Sequence, residues 1–144
     1  MNFIEIKIVD YQKKMQEIKT IRTQVFQVEQ GVAEELEFDG LDEKSQHLIA
    51  YLNQQPVGTT RIRTIDEQTV KIERLAVLSE ARGQGIGKKL MEKALEIVSN
   101  DNYQAVIIHA QEYIKELYLK LGFEQVGKTF QEAGIAHIKM IKKL

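Results

Sequence analysis

The sequence predicts a mixed α/β (α+β) fold, a central and mostly antiparallel sheet flanked by helices, in a single domain over residues 1–144. Three observations carry this. Short segments that alternate apolar and polar residues, joined by brief polar turns, imply an antiparallel meander. A glycine-rich loop followed by a helical stripe and then a continuous apolar run implies one parallel crossover. The 144 residues contain no repeat, low-complexity segment or linker, and that length can bury a substantial core.

The elements follow in order. Ile4, Ile6 and Ile8 alternate with Glu5 and Lys7, the period of a half-buried strand. From Tyr11 the period lengthens: Ile18, Ile21, Val25 and Val28 recur at helical spacing, so a helix runs to about Val28. Gly31 opens an acidic stretch, "EELEFDGLDEKS", which keeps neither period and reads as a loop or a short second helix. Three strands come next: "HLIAYL", "VGTTRIRTI" after the Gln55-Pro56 turn, and "TVKIERLAVL" after Asp66-Glu67-Gln68. Ile86, Leu90, Ala94, Ile97 and Val98 mark one helix face, ended by Asn100-Asp101-Asn102. "AVIIHA" reads as a strand buried on both faces. Ile114, Leu117, Tyr118 and Leu121 form another helical stripe with Gly122 as its cap, and "FEQVG" and "IAHIKMI" are the last two strands.

Composition excludes several classes of function. With 20 Lys+Arg against 21 Asp+Glu, nothing in the total charge favours nucleic acid or an acidic membrane surface. Cysteine is absent, which removes disulfides, thiolate metal sites and a cysteine nucleophile. The start "MNFIEIKIVD" alternates charge with apolar residues, unlike a signal peptide, and no apolar run is long enough to span a membrane, so a cytoplasmic protein is expected. His47, His109 and His137 fall in strands without metal-ligand spacing; they read as structural residues, and no metal is expected. The six carboxylates from Glu34 to Glu43 read as a solubilising loop, or alternatively as an attractor for a cationic amine.

Two local features point to a site. In "TVKIERLAVL", Val70 and Ile72 are even while Leu75 and Val77 are odd, so the apolar parity flips across Glu73-Arg74. A β-bulge would do this, bending the strand and opening a cleft toward "AVIIHA" with free backbone groups. The alternative is a central strand covered on both faces, which need not alternate. Glu73, at that point, is a candidate general base toward an amine; its ordinary role would be an ion pair with Arg74.

The second feature is "ARGQGIGKKL", residues 81–90, with Gly83, Gly85 and Gly87 in five residues before a helix. Glycines there let an anion approach the unpaired N–H groups of the helix start, and Arg82 and Lys88 flank them. A P-loop is excluded, because Gly83 and Gly87 stand one residue too close and Lys88 is followed by Lys89 rather than a hydroxyl. A dinucleotide fingerprint fits poorly, since its third glycine would arrive one position later.

Arg82-Gly83-Gln84-Gly85-Ile86-Gly87 matches the [RQ]-x-x-G-x-[GA] loop of the GNAT N-acetyltransferase superfamily. "IERLAVLSEARGQGIGKKLMEKAL" and "ELYLKLGFEQVG" resemble that superfamily's strand-loop-helix and later helix, and "IRTQVFQVEQGV" with "EFDGLDEKSQH" resembles a small bacterial subgroup. The resemblance implies the GNAT acyl-CoA N-acyltransferase fold and an acetyl-CoA-dependent transfer of an acetyl group to a primary amine of a small molecule or peptide. It implies that the backbone of Leu75, Ala76 and Val77 pairs with pantetheine and that Arg82, Gly83, Gln84, Gly85, Ile86 and Gly87 hold the CoA pyrophosphate. Tyr118 matches the family's general acid toward the departing thiolate, where a core aromatic is the reading without that pattern. Gln111 stands where the family most often has asparagine and implies a cofactor contact, and Glu29 falls where the first helix walls the acceptor site. A homodimer is compatible with this reading. Two other classes share the fold: a CoA-binding sensor with little catalysis, and an acyl-homoserine-lactone synthase-like acyltransferase.

Overall fold

The computed structural model describes residues 2–144. Strand β1 (Ile4–Val9) ends at Asp10, whose carboxylate accepts hydrogen bonds from the backbone N–H groups of Gln12 and Lys13 at 2.9 and 3.3 Å. That cap starts helix α1 (Tyr11–Arg22). Instead of continuing as an α-helix to Val28, the chain widens into a π-helical segment, Thr23–Glu29. Because a π-turn takes in an extra residue, the side-chain register advances: Phe26 joins Val25 in the core and Val28 is 65% exposed.

The acidic stretch becomes one helical turn, α2 (Glu34–Glu37), and a 3-10 turn, Asp42–Lys44. The meander β2 (Gln46–Leu52), β3 (Gln55–Thr64) and β4 (Thr69–Val77) follows. Helix α3 (Ile86–Ser99) crosses to β5 (Ala105–Gln111), and α4 (Lys115–Lys120) leads to β6 (Glu124–Glu132) and β7 (Ile135–Lys143). The seven strands form one sheet in the order β1-β2-β3-β4-β5-β7-β6, and β4 with β5 is its parallel pair. Strand β6 runs past the expected "FEQVG": its register shifts between Val126 and Phe130, beside Gly127 at φ 81°, and pairing resumes to Glu132. As a solvent-facing edge strand it carries no apolar alternation for a sequence to display.

Each face of the sheet buries a different set. Leu90, Met91, Ala94 and Val98 of α3 pack on Val70, Ile72, Val106 and Ile108, together with Tyr118 and Phe123. On the other face α1 lies across β2, β3 and β4, packing Ile18 on Ile49 and Ile21, Val25 and Phe26 on Ala76. No helix among the described residues is long and apolar enough to cross a membrane.

Under α1 the core is charged. Arg22 and Arg61 are 1% and 0% exposed. Arg22 pairs with Glu37 and, at 2.6 Å, with Asp42, while Arg61 pairs with Asp42 and Asp39 at 2.9 Å and with Glu73. Half of the acidic stretch is therefore structural: Glu37 and Asp42 are buried and Asp39 is held by guanidinium groups, while Glu34, Glu35 and Glu43 stay exposed as the solvated reading expects. Removing one member strands the others away from water. Arg61→Met should therefore lower the unfolding free energy by about 3–5 kcal/mol in urea denaturation; a change of under about 1 kcal/mol would show that the network is not needed for the fold.

Candidate active site

The parity flip in β4 is a bulge. Thr59 faces Ala76 and Arg61 faces Glu73, so two steps along β3 span three along β4, and Arg74 and Leu75 drop out of the ladder. Arg74 takes up the extra residue at φ 57°, and Thr60 Oγ1 donates to the Glu73 carbonyl at 3.0 Å. The flip keeps the apolar side turned the same way, since Val70 and Ile72 before it and Leu75 and Val77 after it all join the α3 core. Ala76 points to the opposite face, against α1.

Parallel pairing between β4 and β5 covers Thr69–Lys71 with 105–107 and stops. Beyond it the two strands part, and a cleft of about 770 Å³ opens, lined by Leu75, Val77, Ile108, Gln111 and Tyr118 among others.

The glycine loop forms one end of this cleft. Gly83 and Gly85 have φ 82° and 77°, a conformation that side chains disfavour, and a Cβ at either would meet open space. Gly85 is the cap residue of α3 and offers no side chain to it, and the first turn holds no carboxylate. The first α-type bond runs from Lys89 N–H to Gly85 O at 3.0 Å, so the N–H groups of Ile86, Gly87 and Lys88 precede it as unpaired donors. Such a helix start suits an anion.

Two contacts from the π-helical segment strap the cleft. Glu29 holds Arg82 through two hydrogen bonds of 2.7 and 2.8 Å, and Arg82 Nε also donates to the Val77 carbonyl at 3.0 Å. The amides of Gln30 and Gln111 exchange bonds of 2.9 and 3.2 Å. Glu29 is thus held at the loop end of the cleft by Arg82. Gln84 turns its side chain away, toward Asn2 and the Ala81 carbonyl.

The sheet end is densely charged. Glu73 sits at the bulge as expected, yet its carboxylate is taken up by Arg61, by Arg63 at 2.8 Å and by Lys71 at 3.3 Å. Burial by itself would raise its pKa, but the Arg63 hydrogen bond and the Arg61 and Lys71 charges outweigh that and pull it down to about 2. A carboxylate that acidic is a weak proton acceptor. Arg74, expected as its partner, reaches instead to Glu37 at 3.0 Å and Asp39 at 3.3 Å.

Tyr118 is buried against Phe123, lines the cleft, and has no hydroxyl partner among the described residues. Burial pushes its phenol upward, so it stays protonated. Sequence reasoning read His109 and His137 as structural residues and gave no role to Lys71 or Glu132; all four line the cleft. Glu132 reaches them only through the extension of β6 past its register shift; the one sequence signal was a histidine in an otherwise apolar strand.

Residues 9–144 match the family model described as an acetyltransferase (GNAT) domain. The chain belongs to the GNAT acetyltransferase family. It is 35% identical to the uncharacterized protein YyaT of Bacillus subtilis over 98% of this chain and 97% of that one. Among solved structures it is similar to an acyl-CoA N-acyltransferase from Pseudomonas aeruginosa, with 30% identity, a TM-score of 0.86, and 97% and 99% of the two chains covered. A GNAT acetyltransferase from Elizabethkingia anophelis, solved with acetyl-CoA bound, shares the fold at 20% identity and a TM-score of 0.72, covering 98% of each chain.

The GNAT site carries a pH signature. Burial opposes the charge on Asp39, Asp42 and Glu73, but their guanidinium partners prevail and all three are more acidic folded than unfolded. They stabilise the fold above their unfolded pKa of about 4 and lose that contribution as pH falls through the folded values. Glu37, raised by burial, acts in the opposite sense and protonates first. Burial also keeps His47 below its unfolded value, so urea midpoints should decline as pH falls below about 6.5 and more steeply between about 4 and 2; a midpoint that rises in the acid range would contradict the ion-pair assignments.

Proposed function

We propose that residues 1–144 act as one cytoplasmic N-acetyltransferase domain that moves the acetyl group of acetyl-CoA directly to a primary amine of a small molecule or peptide. The observation that carries this is the coincidence, in one cleft, of an uncapped helix start, a strand bulge and the unpartnered hydroxyl of Tyr118. An anionic group fits the loop: the donors of Ile86–Lys88 and the cations Arg82 and Lys88 suit a pyrophosphate, and the open space beside Gly83 and Gly85 admits it. The freed edge of β4 at Leu75, Ala76 and Val77 suits an extended amide-bearing chain such as pantetheine, and Gln111 lies beside it.

The co-substrate supplies the thioester, and this chain's residues supply the rest. Backbone N–H groups at the bulge, fixed before reaction, are positioned to stabilise the carbonyl oxygen as it gains charge. Tyr118, whose hydroxyl lines the cleft without a protein partner, gives its proton to the leaving sulfur. Glu73 stays ionised, so its role is to anchor the bulge through Arg61 and Arg63. The amine enters from the side of the sheet where α1 stops at β4.

Gly85→Glu puts a side chain and a negative charge into the anion seat, so acetyl-CoA binding by calorimetry should disappear; unaltered binding would sink the cofactor assignment. Tyr118→Phe should leave that binding intact and lower kcat by about 10²-fold in a free-thiol assay across a panel of amines. A wild-type protein that binds acetyl-CoA and releases no thiol with any amine would favour the sensor reading.

A further inference from the structure

The unassigned groups of the cleft gather around His109. It lies on β5 two residues past the last parallel pair, Lys71 with Ile107, on the parity that Lys71 and Glu73 share in β4. It therefore stands where the two strands begin to part, half-buried and lining the cleft. Its Nδ1 is 3.1 Å from Glu132 Oε1, and the ring meets Phe130 edge-on at 5.1 Å. Nε2 has no protein partner among the described residues.

We infer that His109 is the general base of the acetyl transfer, with Glu132 as its positioning residue. This rests on the functional reading above. In this assignment Lys71 donates to Glu73 and the His109 Nδ1–H donates to Glu132, the tautomer that leaves the Nε2 lone pair open to an acceptor amine. The hydrogen bond from His109 lowers the pKa of Glu132, so the carboxylate is ionised and ready to stabilise an imidazolium.

The other groups facing the ring are compatible with this role. Lys71 Nζ is 3.3 Å from the same Nδ1, but it is also 3.3 Å from Glu73, which holds its charge. His137 approaches the second oxygen of Glu132 at 3.7 Å and stacks on Phe130. Lys139 is the β7 residue paired with His109.

The protons balance. An alkylammonium must lose two: His109 Nε2 takes the first, and the amine forms the N–C bond as the C–S electron pair leaves on sulfur. Tyr118 gives the sulfur its proton and is restored by the second proton from nitrogen. The imidazolium passes the first to water, reached past the half-exposed Glu132.

The test uses two acceptors with the full chain. An alkyl amine, taken from the free-thiol panel, arrives protonated at neutral pH and needs the base, whereas hydroxylamine arrives unprotonated and does not. His109→Gln should lower kcat/KM for the alkyl amine by about 10²-fold and for hydroxylamine by under about 3-fold, with acetyl-CoA binding unchanged. Glu132→Gln should move the acid limb of the alkyl-amine pH profile to lower pH, which a merely structural carboxylate would not do. Equal losses with both acceptors, or none, would overturn the assignment of His109 alone. Wild-type protein that acetylates neither acceptor overturns the functional reading, and the base assignment with it.

Discussion

A buried arginine has to be paired. Arg61 is fully enclosed on β3, cannot shed its charge, and carries five N–H donors in a fixed fork. Three carboxylates meet that demand, from two parts of the chain: Asp39 and Asp42 from the acidic stretch, Glu73 from the edge of the bulge. Asp39 and Asp42 thereby tie the acidic segment down on the sheet. Glu73 is held facing β3, and the extra residue of the bulge falls on Arg74. The parting of β4 from β5, and with it the cleft, begins at the residue that Arg61 holds.

The π-helical segment works on the other side of the same opening. By shifting register after Arg22 it buries Phe26 against β4 and turns Glu29 and Gln30 outward, to Arg82 in the loop and Gln111 on β5. An α-helical continuation would have buried Val28 and carried these polar residues elsewhere. The strap across the cleft thus depends on one residue of helical register, while the charged core beneath it fixes where the helix lies.

What the sequence made legible was local. The glycine loop could be read because its requirement is a backbone one, met at Gly83 and Gly85 by φ values that only glycine takes readily. The bulge could be read because a strand has a period of two, and an inserted residue inverts it. Half of the acidic stretch was misread because solvation is a tertiary property: Glu34, Glu35 and Glu43 are exposed as expected, but the spacing of Glu37, Asp39 and Asp42 says nothing of the guanidinium groups waiting on α1 and β3. Strand β6 was cut short for a related reason, since an exposed edge has no apolar face to betray it.

The assignments at Glu73 and His109 turn on the same distinction. Residue type alone made Glu73 the candidate, for a carboxylate beside a bulge is well placed to take a proton. Its neighbours decide otherwise, because Arg61, Arg63 and Lys71 stabilise the charged form so strongly that little proton affinity is left. Across the opening those same cations are an asset. With Lys71 committed to Glu73, the imidazole of His109 faces a carboxylate on one nitrogen and the open cleft on the other. One cleft thus holds two kinds of group: carboxylates kept ionised to define its shape, and a histidine left free to exchange a proton. In a cleft with several ionisable candidates, the one with an accepting atom that no cation occupies is the one fit to act as the base.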